Sequence, residues 1–133
     1  MTNQKAACLT NPARHAQSET AIIYKIVDAA SWRAAETSGL FDGSTDDRRD
    51  GFIHFSKADQ LTGTLQKHFR HRDNLLLVAF EAARLAEHLR WEVSRNGELF
   101  PHLYAALAVA QALWVRPLIT GTDGVPQVPP ELL

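Results

Sequence analysis

The sequence predicts an α+β fold: one domain with a split, mainly antiparallel β-sheet and flanking helices. Three observations carry this prediction. Strand-like and helix-like periodicities follow one another in the order β-α-β-α-β-β-β. An Asn-Gly pair at 96–97 marks a tight hairpin between two extended stretches. The chain's 133 residues, 45% apolar and 22% charged, suit one domain that can hold a core without disulfides or metal.

Taken in order, residues 1–20 are polar and without periodicity, and read as a tail. Ile22 to Val27 is β-branched and aromatic, which predicts a strand, central in the sheet. Asp28 caps a helix that runs to Ser38 and ends at Gly39, with Trp32 and Ala35 on its buried face. Leu40 to Arg49 reads as a loop, and Asp46-Asp47-Arg48-Arg49-Asp50 as a solvated charge run. Gly51 to Phe55 is a short strand. Ser56 with Asp59 has the spacing of a capping box, so a helix starts there, with Ala58, Leu61, Leu65 and Phe69 as its core stripe. Gly63 costs that helix about 1 kcal/mol against alanine, which suggests close packing at that point.

Leu75 to Phe80 is a continuous apolar run, read as a strand buried on both faces. Ala82 to Leu89 is a helical turn. Arg90 to Arg95 meets Asn96-Gly97, and a two-residue turn pairs Arg95 with Glu98 and Val93 with Phe100. Pro101 lacks an N–H and is expected to end that ladder. Ala112 to Leu118 is the last strand. Residues 119–133, with glycines and prolines, read as a loose tail docked through Val125 and Val128. The folded body is therefore placed at 21–118.

Fourteen basic and fifteen acidic residues give a net charge of -1. That excludes a strongly basic nucleic-acid footprint. The single cysteine, Cys8, has no partner for an internal disulfide or a zinc site. No apolar run approaches the ~20 residues of a membrane span, and the first twenty residues hold no stretch of signal-peptide type. A cytoplasmic protein with a small-molecule or nucleotide ligand, and no membrane partner, is the expectation.

Three places can carry chemistry. His54 lies at a strand end before a helix start, sharing a face with Phe52; it is either a ligand contact or a core histidine satisfied by the backbone. In Phe100-Pro101-His102-Leu103-Tyr104, His102 and Tyr104 lie two apart and point the same way in an extended segment. They either grip a ring or sugar hydroxyl, or serve as packing. Trp91-Glu92 places a carboxylate in a strand, either as an acid/base group with a raised pKa or ribose contact, or as an edge-strand charge. His68 and His71 are spaced to share a metal, and with Lys67, Arg70 and Arg72 they form a basic cluster; a solvated helix end explains both. No standard metal-ligand, phosphate-loop or nucleophile-elbow motif is present. His54, Glu92, His102 and Tyr104 are expected to border one concavity.

Tyr24-Lys25-Ile26, Asp50 to Ser56 with Gln60 and Thr64, Trp91-Glu92, and Phe100 to Tyr104 together resemble the small bacterial family called domain of unknown function 952. That family is similar in fold to ADP-ribosyltransferases, which have a split sheet with a dinucleotide cleft between its halves. The His54 strand also resembles the His-Ile-His-Phe strand of RNA 2'-phosphotransferases, with Phe52 in place of the first histidine. The resemblance implies a protein that binds NAD or a related nucleotide and transfers or hydrolyses ADP-ribose. Glu92 and His54 would be catalytic, and Tyr24, His54, Trp91, His102 and Tyr104 would bind the cofactor. Two alternatives stand beside it: a non-catalytic nucleotide or small-ligand module, and a metal-independent hydrolase using His54 and His102 as acid and base.

Overall fold

The computed structural model describes residues 21–133. Residues 1–20, which the sequence reads as a tail and which include Cys8, lie outside the described residues. β1 (Ile22–Asp28) leads into α1 (Ala29–Ser38). The Asp28 carboxylate accepts the Ser31 N–H at 3.0 Å, satisfying a free donor of the first turn. Gly39 closes the helix at φ 92°, where a side chain would be strained. A two-residue strand, β2 (Leu40–Phe41), follows.

The charge run is not a loop. It forms α2 (Thr45–Asp50), started by a capping box in which Ser44 Oγ accepts the Asp47 N–H and Asp47 Oδ2 accepts the Ser44 N–H. β3 covers only Ile53–His54. Ser56 does not cap the next helix, because its hydroxyl pairs with that of Thr64 at 3.1 Å. The turn starts instead at Ala58–Gln60, where Gln60 Oε1 accepts the Lys57 N–H, and continues as α2's successor α3 (Leu61–His68). Leu61 and Leu65 are buried as their spacing predicts.

β4 (Leu75–Glu81) is followed by a 3-10 segment at Ala82–His88, then β5 (Leu89–Val93), β6 (Leu99–Leu103) and β7 (Leu107–Ala108). After β8 (Trp114–Pro117), a small hairpin is made by β9 (Ile119–Thr120) and β10 (Pro126–Gln127). The C-terminal stretch is therefore structured, and Val125 and Val128 are buried with Leu61 and Leu65.

Two three-stranded antiparallel sheets organise the chain, in the orders β1-β4-β8 and β3-β6-β5. The central strand of the first is β4, not β1. Leu77, Val78, Ala79 and Phe80 are each 0% exposed, and only a strand covered on both faces and both edges suits so unbroken an apolar run. Between β1 and the second sheet the backbone link is a single bridge, Tyr24 to Ser56, whose N–H and C=O groups exchange bonds of 2.8 and 2.9 Å. The sheet is thus divided there. Ile23 and Val27 join Trp32, Phe41 and Phe80 in one core cluster, while Tyr24 and Ile26 join Leu61, Leu65 and Leu77 in the other. Burying each large aliphatic or Phe side chain contributes roughly 1.5–3 kcal/mol.

The hairpin differs from its prediction by one residue. Asn96 and Gly97 both have positive φ, and the Glu98 N–H bonds to Arg95 O at 3.1 Å, so the tight turn forms. The Ser94 N–H also bonds to Glu98 O, so Ser94 and Arg95 together oppose Glu98. This bulge shifts the register: Val93 faces Leu99, and Glu92 faces Phe100. Pro101 does not end the ladder. It pairs with Trp91 and is buried, with its carbonyl accepting the Phe55 N–H. Its backbone faces β3, so β5 loses no bond to the missing N–H.

Candidate functional site

A cleft of about 470 Å³ opens where the two sheets part, lined from β1, α2, β3, α3, β6 and the β5–β6 turn. Its floor is built on a charge that the sequence hides. Lys25 is 5% exposed in the middle of an apolar strand, and a buried ammonium needs a counter-ion. Asp47, 2% exposed, supplies it: Lys25 Nζ lies 2.8 Å from Oδ2 and 3.1 Å from Oδ1. Nζ also donates to the His54 carbonyl at 3.1 Å. Burial pulls the Lys25 pKa below its ordinary value, opposed by Asp47. Burial alone would raise the Asp47 carboxyl. Its bonds to His54, Lys25 and the Ser44 backbone outweigh that and hold it well below the usual carboxylate range.

Asp47 therefore accepts from every neighbour. Its Oδ1 takes the His54 backbone N–H at 3.0 Å and lies 2.6 Å from His54 Nδ1. Because Asp47 is ionised, that ring nitrogen carries the proton and Nε2 is the position that faces chemistry. In this structure Nε2 lies 2.9 Å from Asp50 Oδ2. Asp50 is itself held by Arg49.

His102, opposite His54 in the β3–β6 pair, is the second imidazole of the cleft. Its Nδ1 lies 2.7 Å from Glu92 Oε1, which also accepts the Tyr104 hydroxyl at 2.7 Å. Those two bonds, Tyr104's first, lower the Glu92 pKa, the reverse of the raised value expected for an acid/base group. Burial lowers the His102 pKa, with Glu92 opposing. A neutral His102 with Nδ1 protonated follows at neutral pH. Phe52 stacks on His102 at 4.0 Å between ring centres and lies 4.6 Å from His54, whose ring is 5.5 Å from that of His102.

The predicted convergence is met in part. His54, His102, Glu92 and Tyr104 form one connected cluster, but only His54 and His102 line the cleft; Glu92 and Tyr104 support His102 from beside it. The Ser94 bulge explains this. In the unshifted register Trp91 would share a face with His102, whereas the shift puts Glu92 there and turns Trp91 onto the first core cluster. Trp91 is thus a packing residue, not a ring-stacking contact in the cleft. Tyr24 lines the cleft but is 6% exposed, with its ring 5.9 Å from Trp114. His68 lines the cleft, while His71 packs against Gly124, so the two serve different places. Among the described residues, no three His, Cys, Asp or Glu side chains are grouped to hold a metal. Among the described residues, no helix is long and apolar enough to cross a membrane.

Sequence reasoning missed Lys25 and Asp47 as site residues. The signals were present: a lysine inside a buried strand, and Ser44-x-x-Asp47, the same capping spacing that was assigned to Ser56 and Asp59.

Fold and site define a small α+β domain whose divided sheet carries a polar cleft with two carboxylate-paired histidines. The family model "Protein of unknown function (DUF952)" matches residues 26–115, and the chain belongs to that family. The chain is similar to protein CC0527 from Caulobacter crescentus. A crystal structure of that protein is 47% identical, with a TM-score of 0.81, over 84% of this chain and 97% of the other. Its solution NMR structure is 48% identical, with a TM-score of 0.73, over 80% and 91%. No curated protein matches the chain.

Proposed function

We propose that this protein is an enzyme that performs acid–base chemistry on a small polar ligand in the cleft, using His54 and His102 without a metal. The observation that supports this most is the pairing of two cleft imidazoles with carboxylates at Nδ1, at 2.6 Å for His54 and 2.7 Å for His102. Such a bond fixes the tautomer and aims Nε2 at a substrate. His54 has a carboxylate oxygen at each ring nitrogen, Asp47 at Nδ1 and Asp50 at Nε2, a geometry that suits a proton donor. His102, neutral and buried, suits the acceptor. Both Asp47 oxygens are already taken by Lys25, His54 and Ser44, which leaves that carboxylate no role as a metal ligand.

A second reading is an ADP-ribosyltransferase-like fold that binds NAD and transfers or hydrolyses ADP-ribose. The divided sheet with a cleft at its parting favours it. Its chemistry asks a carboxylate to steady a developing positive ribose, and Glu92 would have to give up His102 or Tyr104 to do so. A nucleotide-binding module without catalysis is the third outcome.

A panel of nucleotides, phosphoesters and NAD, incubated with the protein in the presence of a chelator, separates these readings. Turnover that is lost in His54→Ala and His102→Ala supports the first. Nicotinamide release from NAD that is lost in Glu92→Gln supports the second. Saturable binding without turnover leaves the third.

Asp50 provides a further check. Its carboxylate stands against His54 Nε2, where an anionic ligand would make the same contact, so a ligand must displace it. Asp50→Asn is expected to tighten an anionic ligand that turns over in the panel by about 3- to 10-fold, the worth of a partly screened charge contact. Weaker binding in a calorimetric titration would show instead that Asp50 helps to hold the ligand.

A further inference from the structure

Beside the two carboxylate-paired histidines, the cleft is lined by Thr64 and His68 of α3, Arg72 beyond it, and Arg95 of the β5–β6 turn. The nearby acids are occupied. Asp47 is paired with Lys25, Asp46 and Asp50 with Arg49, and Asp28 caps α1. Among the described residues neither Arg72 nor Arg95 pairs with a carboxylate.

Arg95 is also fixed in place, although it belongs to a hairpin turn. Its Nη1 donates to Thr64 Oγ1 at 3.3 Å and its Nη2 to Gln60 O at 3.4 Å. Its guanidinium lies over the Phe100 ring at 4.9 Å. Gly63 makes the space: a Cβ there would stand 3.0 Å from Nη2. The close packing suggested by a glycine inside α3 is thus the seat of this arginine. Ordering an arginine costs side-chain entropy, and a side chain serving only solubility needs no such seat. The guanidinium keeps further N–H donors beyond the two that are used.

We propose that this lining is a phosphate subsite, in which Arg95 and Arg72 hold the phosphate of a phosphomonoester or nucleotide while its reacting part lies at His54. The proposal rests on the cleft being the active site and adds the substrate class. A planar guanidinium fork matches phosphate oxygens, and two arginines in one cleft, neither of them in a salt bridge among the described residues, favour a dianion. Desolvation first, then the charges of Arg95 and Lys67, lower the His68 pKa, with Asp46 opposing.

The test is a titration of nitrogen-15-labelled protein with inorganic phosphate, AMP and adenosine, at ionic strength held constant with chloride. The arginine Nε–H resonances are read and assigned through Arg72→Lys and Arg95→Lys. Phosphate and AMP are expected to give saturable shifts at both arginines, and adenosine none. Arg95→Ala and Arg72→Ala should each weaken AMP by roughly 10-fold or more, the worth of a charge-assisted bond. Arg72 is exposed, so its variant keeps the fold even if Arg95→Ala does not. Arg84→Ala, an exposed arginine outside the cleft lining, should leave AMP affinity within about 3-fold. Adenosine binding as tightly as AMP, unchanged AMP affinity in both alanine variants, or no saturable shift at all would overturn the subsite. Discrimination for AMP in a protein that turns over nothing would retain the subsite and reject the acid–base reading.

Discussion

Asp47→Ala is expected to destabilise the protein by about 3–5 kcal/mol, because it leaves the Lys25 ammonium buried without its counter-ion. In a domain of this size that lowers the melting temperature by roughly 10–20 °C. The loss exceeds that of an ordinary surface aspartate because Asp47 is 2% exposed and accepts bonds from Lys25, His54 and the Ser44 backbone at once. Lys25→Met alone should also destabilise, since it leaves a buried carboxylate with fewer donors. Combining Lys25→Met with Asp47→Ala should recover much of the loss, because no unpaired charge then remains. The measurement is a double-mutant cycle by denaturant unfolding. Independent, additive effects of the two substitutions would show that the pair is not the energetic unit described.

The same pair sets a pH dependence with a definite sign. Asp47 has a folded-state pKa below its unfolded value. Its contribution is therefore complete above the unfolded carboxylate pKa of about 4 and is lost as pH falls toward the folded one. Unfolding free energy measured downward from pH 6 should fall more steeply in the wild type than in the Lys25→Met/Asp47→Ala protein. Parallel curves would mean that Asp47 is not held in its ionised form by the fold.

What was legible in the sequence, and what was not, follows from the range of the forces involved. α1 could be read from Asp28, Trp32, Ala35 and Gly39 because capping and helical periodicity act within a few residues. β4 could be read because its apolar run has one simple solution. Register was harder. The Asn96-Gly97 turn forms, yet the extra residue at Ser94 has no local signal, and it decides whether Trp91 or Glu92 stands beside His102. His54 and His102 stood out as polar residues among apolar neighbours. Asp47 did not, because in Asp46 to Asp50 hydropathy cannot separate one buried carboxylate from four solvated neighbours. Its selection comes from Lys25, twenty-two residues away in sequence, through a contact that exists only after β1 and α2 have packed.

His54→Ala is expected to affect turnover far more than stability. Removing the ring costs Asp47 one charge-assisted bond, while the Lys25 contacts and the backbone N–H bonds of Ser44 and His54 remain. The ring is also 36% exposed, so water reaches the space it vacates. The stability loss should be about 1–2 kcal/mol, the net worth of one hydrogen bond to a charged group. If His54 delivers or removes the substrate proton, kcat should fall by roughly 10²- to 10⁴-fold, with KM changed much less. His54→Gln is the useful companion, since it keeps a donor toward Asp47 but cannot exchange a proton at Nε2. It should restore most of the stability and none of the turnover. Denaturant unfolding and steady-state kinetics on both variants, with a substrate from the panel, divide the two roles of this side chain. A large stability loss in His54→Ala with kcat intact would make the residue a support for Asp47 and move the proton-transfer step elsewhere in the cleft.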